Sequence, residues 1–456
     1  MEREFKPKNL WKASNTKDIE AFSQEYSEFI GKAKTERSAV REAERILLDH
    51  GFTPISEFSG DWRNASVYTV NRGKSIIALK IRGSLSDGLN LVVSHIDSPR
   101  LDLKPHCVVE EEGIAFVKTH YYGGIKKYQW LNLPLELRGV VVKSDGTVVD
   151  VNIGSSPQDP VFVVSDLLPH LDKEDEYVSK KFKAEKLNAL AGSISHEDEE
   201  KKEAVKANVL RIIYEKYGIS EEDLVSSDLQ FVPALEPKEV GFDKSLLGAY
   251  GHDDRVCAYT SLRALVNCDN PARSCGVILF DREEIGSEGD SGAKARFYEL
   301  FLKKVLRAQG FSDTGLALDE LLENTAVVSA DVCPAFNPLY KDAYDPINSA
   351  KLGFGVGIMK YTGSRGKYST SEAHAEYLAK VRNIFKKNNV GWQIATMGKV
   401  DRGGGGTVAK FLSQKGASTV DIGPAILGMH SPFEIVSKAD LHETYRAYLA
   451  FFKDMR

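Results

Sequence analysis

Apolar residues recur at helical spacing near the start of the chain and form short continuous runs after it. The helical pattern covers residues 17–50 and stops at Gly51, which predicts a helix that ends beside this glycine. Apolar runs follow at 75–81 and 89–97, with the turn-forming string SLSDG between them. Runs of this length that are bounded by turn residues are typical of β-strands.

The pattern changes between about residues 100 and 240. Short strand-like runs come first, at 139–143, 147–153 and 160–164. A strongly charged stretch follows at 180–216, and we interpret its string HEDEEKK, residues 196–202, as a solvated helix or loop. We therefore predict that residues 100–240 form an inserted, β-rich second domain.

From residue 241 onward, predicted strands alternate with predicted helices. The strands are expected at 275–281, 326–331, 392–397 and 418–422. The helices are expected at 255–267, 294–308, 369–387 and 437–453. Alternation of this kind predicts an α/β fold in which helices cover both faces of a mixed sheet, and we assign residues 1–99 and 241–456 to it.

Composition and charge argue against several classes of partner. The net charge is −5, from 60 basic and 65 acidic residues, and gives no sign of the basic stripe that nucleic-acid binding needs. No apolar run reaches the roughly 18 residues of a membrane span, and the charged start MEREFKPKNLWKASN lacks the apolar stretch of a signal peptide. The five cysteines are scattered and form no CxxC pair. We therefore expect a cytoplasmic protein with no nucleic-acid or membrane partner.

Candidate chemistry begins at the end of the second predicted strand, with His95 and Asp97. Alternate side chains of a strand share a face, so these two point the same way. Open α/β sheets place their sites at the carboxyl ends of strands. A carboxylate two residues away can hold an imidazole ligand in one tautomer. The alternative is a structural histidine.

Paired acids stand in two other strings. Asp253 precedes a helical apolar pattern in GHDDR, and Glu283 and Glu284 follow a predicted strand in DREEIGS. One carboxylate can bridge two cations, which makes Asp253 a candidate bridging ligand. Of two neighbouring carboxylates, one can ligate a metal while the other, its pKa raised by like charge, takes a proton from water. The alternatives are a helix cap for Asp253 and a solvated turn for the glutamates.

Two single residues complete the set. Asp331 ends a predicted strand in SADVC, and His430 follows another in GMHSP. Alone, each also fits a structural role in a turn or loop. Together, the five strings place histidine, Asp, Glu, Asp and histidine at the ends or in the loops of different predicted strands. Imidazole and carboxylate ligands without thiolate suit zinc, and also manganese or cobalt.

Five strings follow one another between residues 92 and 434. They are VVSHIDSPRLDLKP, GHDDRVCAYTSL, DREEIGSEGDSGA, SADVCPAF and MHSPFE. In this order they resemble the M18 family of metallopeptidases, the aspartyl aminopeptidases. The related M42 family shares the HxD, DDR and EE elements, but the long middle insert, SADVCPAFNP and MHSPFE favour M18. The resemblance implies a zinc-peptidase fold, with residues 100–240 as a dimerisation or lid domain.

The resemblance also implies the cofactor and the role of each candidate residue. Two divalent metal ions, expected to be zinc with manganese or cobalt as alternatives, would be held by His95, Asp253, Glu284, Asp331 and His430. Asp253 would bridge the ions, Glu283 would be the general base, and Asp97 would orient His95.

Substrate-binding residues follow from the same resemblance. The acidic-residue pocket of the family uses a Lys and a Tyr after the fourth ligand, which points to Lys360 and Tyr368. A histidine from the inserted domain of a neighbouring subunit corresponds to His170 in the string LPHL, after which the sequence diverges. Family members assemble as dodecamers built from dimers, so we expect a homo-oligomer.

We therefore predict a two-metal aminopeptidase that removes N-terminal residues, preferably Asp or Glu, from peptides. One alternative is an aminopeptidase of different N-terminal specificity or another two-metal amide hydrolase, since both use the same metal chemistry. A second alternative is a non-catalytic assembly protein that has kept the fold. Loss of a ligand or of the base would mark that class, and neither is missing here.

Overall fold

A computed structural model describes residues 5–172, 178–197 and 202–456. Within them the α-helices are α1 (Thr16–Lys32), α2 (Glu36–Asp49), α3 (Val178–Lys181), α4 (Ala204–Tyr217), α5 (His252–Val266), α6 (Phe297–Ala308), α7 (Thr314–Glu323), α8 (Ala375–Lys387), α9 (Ala409–Ser413) and α10 (Lys438–Asp454). The first ten strands are β1 (Thr53–Pro54), β2 (Ser66–Asn71), β3 (Ser75–Lys80), β4 (Asn90–His95), β5 (Arg100–Glu111), β6 (Ile114–Tyr122), β7 (Leu135–Val142), β8 (Val148–Ile153), β9 (Ala189–Gly192) and β10 (Ser227–Pro233). The others are β11 (Lys238–Val240), β12 (Leu246–Ala249), β13 (Cys275–Phe280), β14 (Ala326–Ser329), β15 (Cys333–Pro334), β16 (Val356–Met359), β17 (Trp392–Ile394), β18 (Ser418–Gly423), β19 (Ala425–Leu427) and β20 (Glu434–Ser437).

The chain folds into two compact units. The first comprises the residues up to 97 together with 237–429 and 433–456, and the second comprises 98–236 and 430–432. Each unit has its own sheet system.

A nine-stranded mixed sheet is the centre of the first unit, with the order β1-β2-β3-β13-β4-β14-β18-β16-β17. The middle strands β13, β4, β14 and β18 run parallel to one another. Strand β3 is antiparallel to β13, and β16 is antiparallel to β18 but parallel to β17. The middle strands are buried along their length, as expected for parallel strands with both faces covered. The predicted mixed sheet is confirmed.

Helices cover both faces of this sheet, as the sequence predicts. The apolar residues of α1, α2, α5, α8 and α10 form one core cluster with alternate strand residues such as Val92. The apolar residues of α6, α7 and α9 form a second cluster with the strand residues that point to the other face of the sheet, such as Leu91 and Val93. Successive strand side chains therefore serve two separate cores.

Carboxylates of α10 hold the glycine turns that flank β16 and β17. Asp440 accepts hydrogen bonds from the backbone N–H groups of Gly353 and Gly355, both at 2.7 Å. Glu443 accepts one from Gly391 at 2.6 Å. Burial raises the pKa of Asp440 to about 7, and the glycine N–H groups oppose that shift. These buried acids replace the strand partners that the turn backbone lacks.

A five-stranded sheet in the same unit has the order β11-β12-β20-β19-β15. Its register sets Glu434, the first residue of β20, opposite Ala249, the last residue of β12. Because α5 begins shortly after β12, this register brings Glu434 to the start of that helix.

The second unit is built on a six-stranded antiparallel sheet with the order β8-β7-β10-β5-β6-β9. Helix α4 packs against β5, β6 and β9. Among the described residues of the second unit, Trp130 and Phe231 are the largest fully buried side chains. The expected β-rich character of this part of the chain is confirmed.

Three element predictions are wrong in detail. The helix expected at 17–50 is two helices, because Thr35 starts a new one: its side chain accepts from the N–H of Ser38, and the Ser38 hydroxyl accepts from the N–H of Thr35. The run 160–164 makes only isolated bridges, through Phe162 and Val164, and forms no continuous strand. The helix expected at 369–387 begins at Ala375, where the side chain of His374 caps it.

The charged segment 196–202 is described only in part, and residues 198–201 lie outside the described residues. Among the described residues, no helix combines the length and the apolarity that crossing a bilayer requires.

Replacement of Gly355 should destabilise the protein strongly. Its φ is +91°, and an added Cβ would lie 2.1 Å from the carbonyl oxygen of Gly391. We expect Gly355→Ala to reduce the free energy of unfolding by about 3 kcal/mol or more, because strain and a backbone clash combine. Gly366→Ala is the matched control, since nothing lies within 4 Å of its added Cβ. Equal unfolding midpoints in denaturant for the two variants would contradict this reading.

Candidate metal centre

Two of the predicted ligands lie at the carboxyl ends of neighbouring parallel strands. His95 is the last residue of β4 and is paired in register with Phe280, the last residue of β13. On the other side of β4, Val93 is paired with Ser329 of β14, so Asp331 emerges level with His95. The strand register therefore delivers both side chains to one edge of the sheet.

The side chains of His95, Asp253 and Asp331 form one cluster. Each offers one ligand atom, and these atoms lie within 4.8 Å of one another. The Nε2 atom of His95 is 3.3 Å from Oδ1 of Asp253 and 4.0 Å from Oε2 of Glu283. Ligand atoms of Asp253 and Glu284 also lie within 4.8 Å of each other. Asp253 therefore lies near ligand atoms of His95, Asp331 and Glu284, and its role as a bridging ligand stays a prediction.

Asp97 lies beside the cluster and contacts His95, Glu283 and Glu284. Its Oδ1 atom is 3.2 Å from Nδ1 of His95, which leaves Nε2 to face the other ligands. Oδ1 also accepts a hydrogen bond from the backbone N–H of Glu283, and Oδ2 accepts one from Glu284, both at 3.1 Å. One carboxylate thus orients an imidazole and holds the backbone of both glutamates.

The glutamates lie in a tight turn after β13. Arg282 has a φ of +68° and Gly286 a φ of +92°, and residues Glu283–Ile285 form a single 3₁₀ turn between them. The side chain of Glu283 is only 15% exposed. The alternative of a solvated turn is therefore wrong for Glu283, which points towards the cluster.

The start of α5 is shaped by residues outside the predicted set. Gly251 precedes the helix, but Asp253 and Asp254 have non-helical φ/ψ angles, so the regular part of α5 begins after this pair and the capping alternative for Asp253 stays open. The backbone N–H of Asp253 donates to Oε2 of Glu434 at 2.9 Å. The buried Arg255 donates from Nε to the carbonyl oxygen of Ile96 at 3.1 Å, between His95 and Asp97. Sequence reasoning missed Glu434, because its position beside the start of α5 depends on the pairing of β20 with β12.

The buried carboxylates of the cluster need compensating positive charge, which a bound cation would supply. Burial raises the pKa of Asp331 well above its usual range, and the neighbouring carboxylate of Asp254 raises it further. Burial also raises the pKa of Asp254 itself. For His95, burial lowers the pKa, but hydrogen bonds to Asp253 and Asp97 outweigh it and raise the pKa well above the ordinary value. So many buried acids are stable as anions only beside compensating positive charge, and a divalent metal fits this donor set.

His430 belongs to the second unit. Its Nδ1 atom is 2.8 Å from the carbonyl oxygen of Gly124, and its φ is +65°. A hydrogen bond to a backbone carbonyl fixes the tautomer of an imidazole, whether the ring is structural or a ligand. Its role as a metal ligand stays a prediction.

The predicted substrate-binding residues lie in exposed segments. Lys360 directly follows β16, and its Nζ atom is 3.5 Å from Oε1 of Glu372, which also pairs with Lys367 at 2.9 Å. Tyr368 is 77% exposed. His170 lies in a 3₁₀ turn of the second unit, Pro169–Leu171. Their contact with substrate stays a prediction.

Comparison with known proteins identifies the family of this chain. Residues 29–452 match the family described as "Aminopeptidase I zinc metalloprotease (M18)". The chain belongs to the M18 family. A relative from Thermotoga maritima, called probable M18 family aminopeptidase 1, is 58% identical over 98% of this chain and 99% of its own length. The chain is thus a metalloaminopeptidase, a hydrolase of peptide bonds.

Solved structures of the M18 family have the same fold. The crystal structure of an M18 aminopeptidase from Thermotoga maritima aligns with a TM-score of 0.98 at 58% identity, over 99% of this chain and 100% of the other. Aminopeptidase I from Clostridium acetobutylicum aligns with a TM-score of 0.91 at 40% identity, over 99% and 100%. The predicted α/β fold and the family resemblance are both confirmed.

Two more distant members of the family have names that state a substrate preference or an assembly. A Caenorhabditis elegans protein called aspartyl aminopeptidase is 26% identical over 96% of each chain. The mApe1 dodecamer of S. cerevisiae aligns with a TM-score of 0.75 at 23% identity, over 96% of this chain and 97% of the other. At this distance the structural likeness shows the shared fold.

Substitutions at positions 95 and 97 should weaken metal binding to different extents. We expect His95→Ala to remove most of the affinity, because it deletes a ligand, and Asp97→Ala to reduce it by about 10- to 100-fold, because it removes only the group behind the ligand. Titration of metal-depleted protein by calorimetry measures both. A smaller loss for His95→Ala than for Asp97→Ala would contradict the division of roles.

Proposed function

We propose that this M18 chain is a two-metal aminopeptidase with the ligands His95, Asp253, Glu284, Asp331 and His430. The observation that carries the proposal is the buried cluster of His95, Asp253 and Asp331 at the carboxyl edge of the sheet, with Glu283 4.0 Å from His95. The absence of thiolate from this donor set favours zinc, with manganese or cobalt as alternatives.

The residues around the cluster supply the proton transfers. When bound, the metal ions would provide the positive charge that acidifies water and polarises the scissile carbonyl group. Glu283 takes a proton from the attacking water as the water oxygen bonds to the carbonyl carbon. The same carboxylic acid then gives the proton to the amide nitrogen as the C–N bond breaks. Asp97 keeps this base in place through its hydrogen bonds to the backbone of the glutamate turn.

The acid-rich character of the site supports cleavage at a free N-terminus. The α-amino group of a peptide is a cation, and a carboxylate of this buried cluster would pair with it. A blocked N-terminus offers no such charge. This pairing would restrict cleavage to the first peptide bond.

We propose a preference for acidic N-terminal residues, with Lys360 as the residue that pairs with the substrate carboxylate and Tyr368 beside it. The name of the C. elegans relative supports this preference. Glu372 lies near Lys360 as a competing anion, at 3.5 Å from Nζ. The side chains of Lys360 and Glu372 are 47% and 40% exposed, so their mutual attraction is weak and a substrate carboxylate can replace it.

Glu283→Gln tests the base. We expect this variant to bind metal nearly as well as the parent protein and to lose activity on free-amino peptides by about 10²- to 10⁴-fold, because an amide cannot accept the water proton. The matched control is Glu288→Gln in the same loop, where the carboxylate pairs with Lys294 at the surface. Full turnover by the Glu283 variant would remove it from this role.

The same assay separates an aminopeptidase from other amide hydrolases when each peptide is offered with a free and with an acetylated N-terminus. Free peptides should be cleaved and acetylated ones left intact. Cleavage of acetylated peptides alone would overturn the proposal.

Lys360→Met tests the acidic preference. We expect kcat/KM for N-terminal Asp or Glu to fall about ten-fold while the value for N-terminal Ala is unchanged, because only an acidic side chain uses the ammonium group. Lys367→Met is the control, since it removes a cation from the same Glu372 cluster. A rate peak for Leu or Lys in the parent enzyme, across zinc, cobalt and manganese, would refute the role of Lys360.

We also propose that the chain assembles as a homo-oligomer, with a dodecamer as the expected form and His170 reaching the site of a neighbouring subunit. The yeast dodecamer supports this assembly. Mass photometry should give a particle of about twelve times the 50.5 kDa chain mass. A monomer at micromolar concentration that is fully active would contradict both the assembly and the role of His170.

A further inference from the structure

One face of the six-stranded sheet in the second unit is only partly covered by helix. Helix α4 has 14 residues and packs against β5, β6 and β9, at one end of the strand order β8-β7-β10-β5-β6-β9. A helix is about 10 Å wide, whereas six strands that lie about 4.8 Å apart span about 24 Å. One helix therefore cannot cover this face, and the β8 end of the sheet is left beside it.

A cavity of about 390 Å³ lies between α4 and the sheet. The side chains that line it are almost all apolar. Strand residues such as Leu137, Val151 and Leu229 form its floor and are at most 8% exposed, and Val209 of α4 forms a wall. Protein interiors are closely packed, so a cavity of this size within one unit departs from ordinary core packing. Its volume is in the range of small-molecule sites.

The strand register contributes to the space above the floor. Val151 of β8 is paired with Gly139 of β7, and Gly139 is paired with Leu229 of β10. Opposite residues of antiparallel strands point to the same face, so the middle position of this row carries no side chain. A larger residue is excluded there, because an added Cβ at Gly139 would lie 1.9 Å from the carbonyl oxygen of Asp228. The space is therefore a property of the sheet itself.

The cavity is open to solvent at one end. Val161 and Ile212 line this end and are 47% and 49% exposed. Lys216, one helical turn after Ile212, also lines the cavity, and its side chain is 51% exposed. Val209 and Lys216 are seven residues apart in α4, so the cavity extends about 10 Å along the helix axis. An elongated ligand can therefore enter here and meet an ammonium group at the opening.

Lys216 is only loosely engaged by the acid that faces it. Its Nζ atom is 3.9 Å from Oδ1 of Asp159, which is longer than a charge-assisted hydrogen bond. The other carboxylate oxygen of Asp159 accepts hydrogen bonds from the backbone N–H groups of Gly154 and Ser156, both at 3.3 Å. The turn at 154–159 thus holds this acid in place. An incoming carboxylate can come closer to the ammonium group than Asp159 does.

We propose that this cavity is a binding site for a carboxylate with a single unbranched apolar chain, such as a free fatty acid. The chain lies over the apolar floor, and the carboxylate pairs with Lys216 at the open end. The lining residues all belong to the second unit, whereas the cluster of His95, Asp253 and Asp331 belongs to the first. This binding site is therefore separate from the proposed site of peptide cleavage.

Calorimetric titration of the full-length enzyme with sodium decanoate, below the concentration at which it forms micelles, tests the proposal. We expect saturable binding of one decanoate per chain. Affinity should rise about four-fold for each carbon added between octanoate and decanoate, because each CH₂ group buries more apolar surface. Decanol has the same chain without the charge and should bind about five-fold more weakly.

Three results of these titrations would contradict the proposal. Absence of saturable decanoate binding, or an affinity that does not change with chain length, would overturn the site. Decanol that binds as tightly as decanoate would overturn the preference for a carboxylate.

Substitutions in the wall and at the open end locate the bound molecule. Val209→Phe should abolish binding of both compounds, because the larger ring fills the cavity, and Leu210→Phe at the next position is the matched control. Lys216→Met should reduce the affinity for decanoate to that for decanol. Arg211→Met, which removes a cation of the same helix that pairs with Glu215, should change neither affinity. Peptidase activity equal to that of the parent enzyme shows that each variant is folded.

Ile212→Glu keeps the test decisive if Val209→Phe does not fold, since position 212 is at the surface. The new carboxylate would pair with Lys216 four positions later and compete with the ligand. We expect decanoate to bind about five-fold more weakly to this variant, with a smaller effect on decanol. Unchanged decanoate affinity in either of these variants would place the molecule elsewhere and overturn the assignment of the cavity.

Discussion

The carboxylate of Asp97 ties the end of one buried strand to the turn that follows another. It contacts the ring of His95 and accepts the backbone N–H groups of Glu283 and Glu284. Because β4 and β13 are parallel neighbours in fixed register, the three groups arrive within reach of one side chain. The relative position of His95 and the two glutamates therefore depends on contacts with a single buried carboxylate. If His95 is a metal ligand and Glu283 the base, as proposed, a group so placed would affect both metal affinity and proton transfer.

Burial of this many acids is costly in the absence of a cation. Burial raises the pKa values of Asp254 and Asp331 well above their ordinary range, so protons would compete with a metal ion for these groups as the pH falls. The buried Arg255 lies close by, with Nε on the carbonyl oxygen of Ile96. Removal of one partner from such a group leaves its neighbours buried and uncompensated. A metal ion bound here would therefore also stabilise the folded first unit.

The sequence predicts the alternation of strands and helices well, because apolar periodicity records which faces are buried. It also points to His95, Asp253 and Asp331, since acids and histidines at the ends of apolar runs are unusual. The role of Glu434 depends on the pairing of β20 with β12, which no local pattern records. The break before Thr35 was missed because a capping box of Thr and Ser is a weak signal inside an apolar helical period. Lys360 was found only through resemblance, and its pairing with Glu372 depends on loop geometry.

The acids of α10 have a consequence for the order of folding. Gly353 and Gly355 precede β16, and Gly391 precedes β17, yet their hydrogen-bond acceptors, Asp440 and Glu443, come later in the chain than both strands. During synthesis these turns therefore have no acceptor until α10 has been made. The edge of the nine-stranded sheet that carries β16 and β17 is expected to become ordered late, after the parallel strands that hold His95 and the glutamate turn have already found one another.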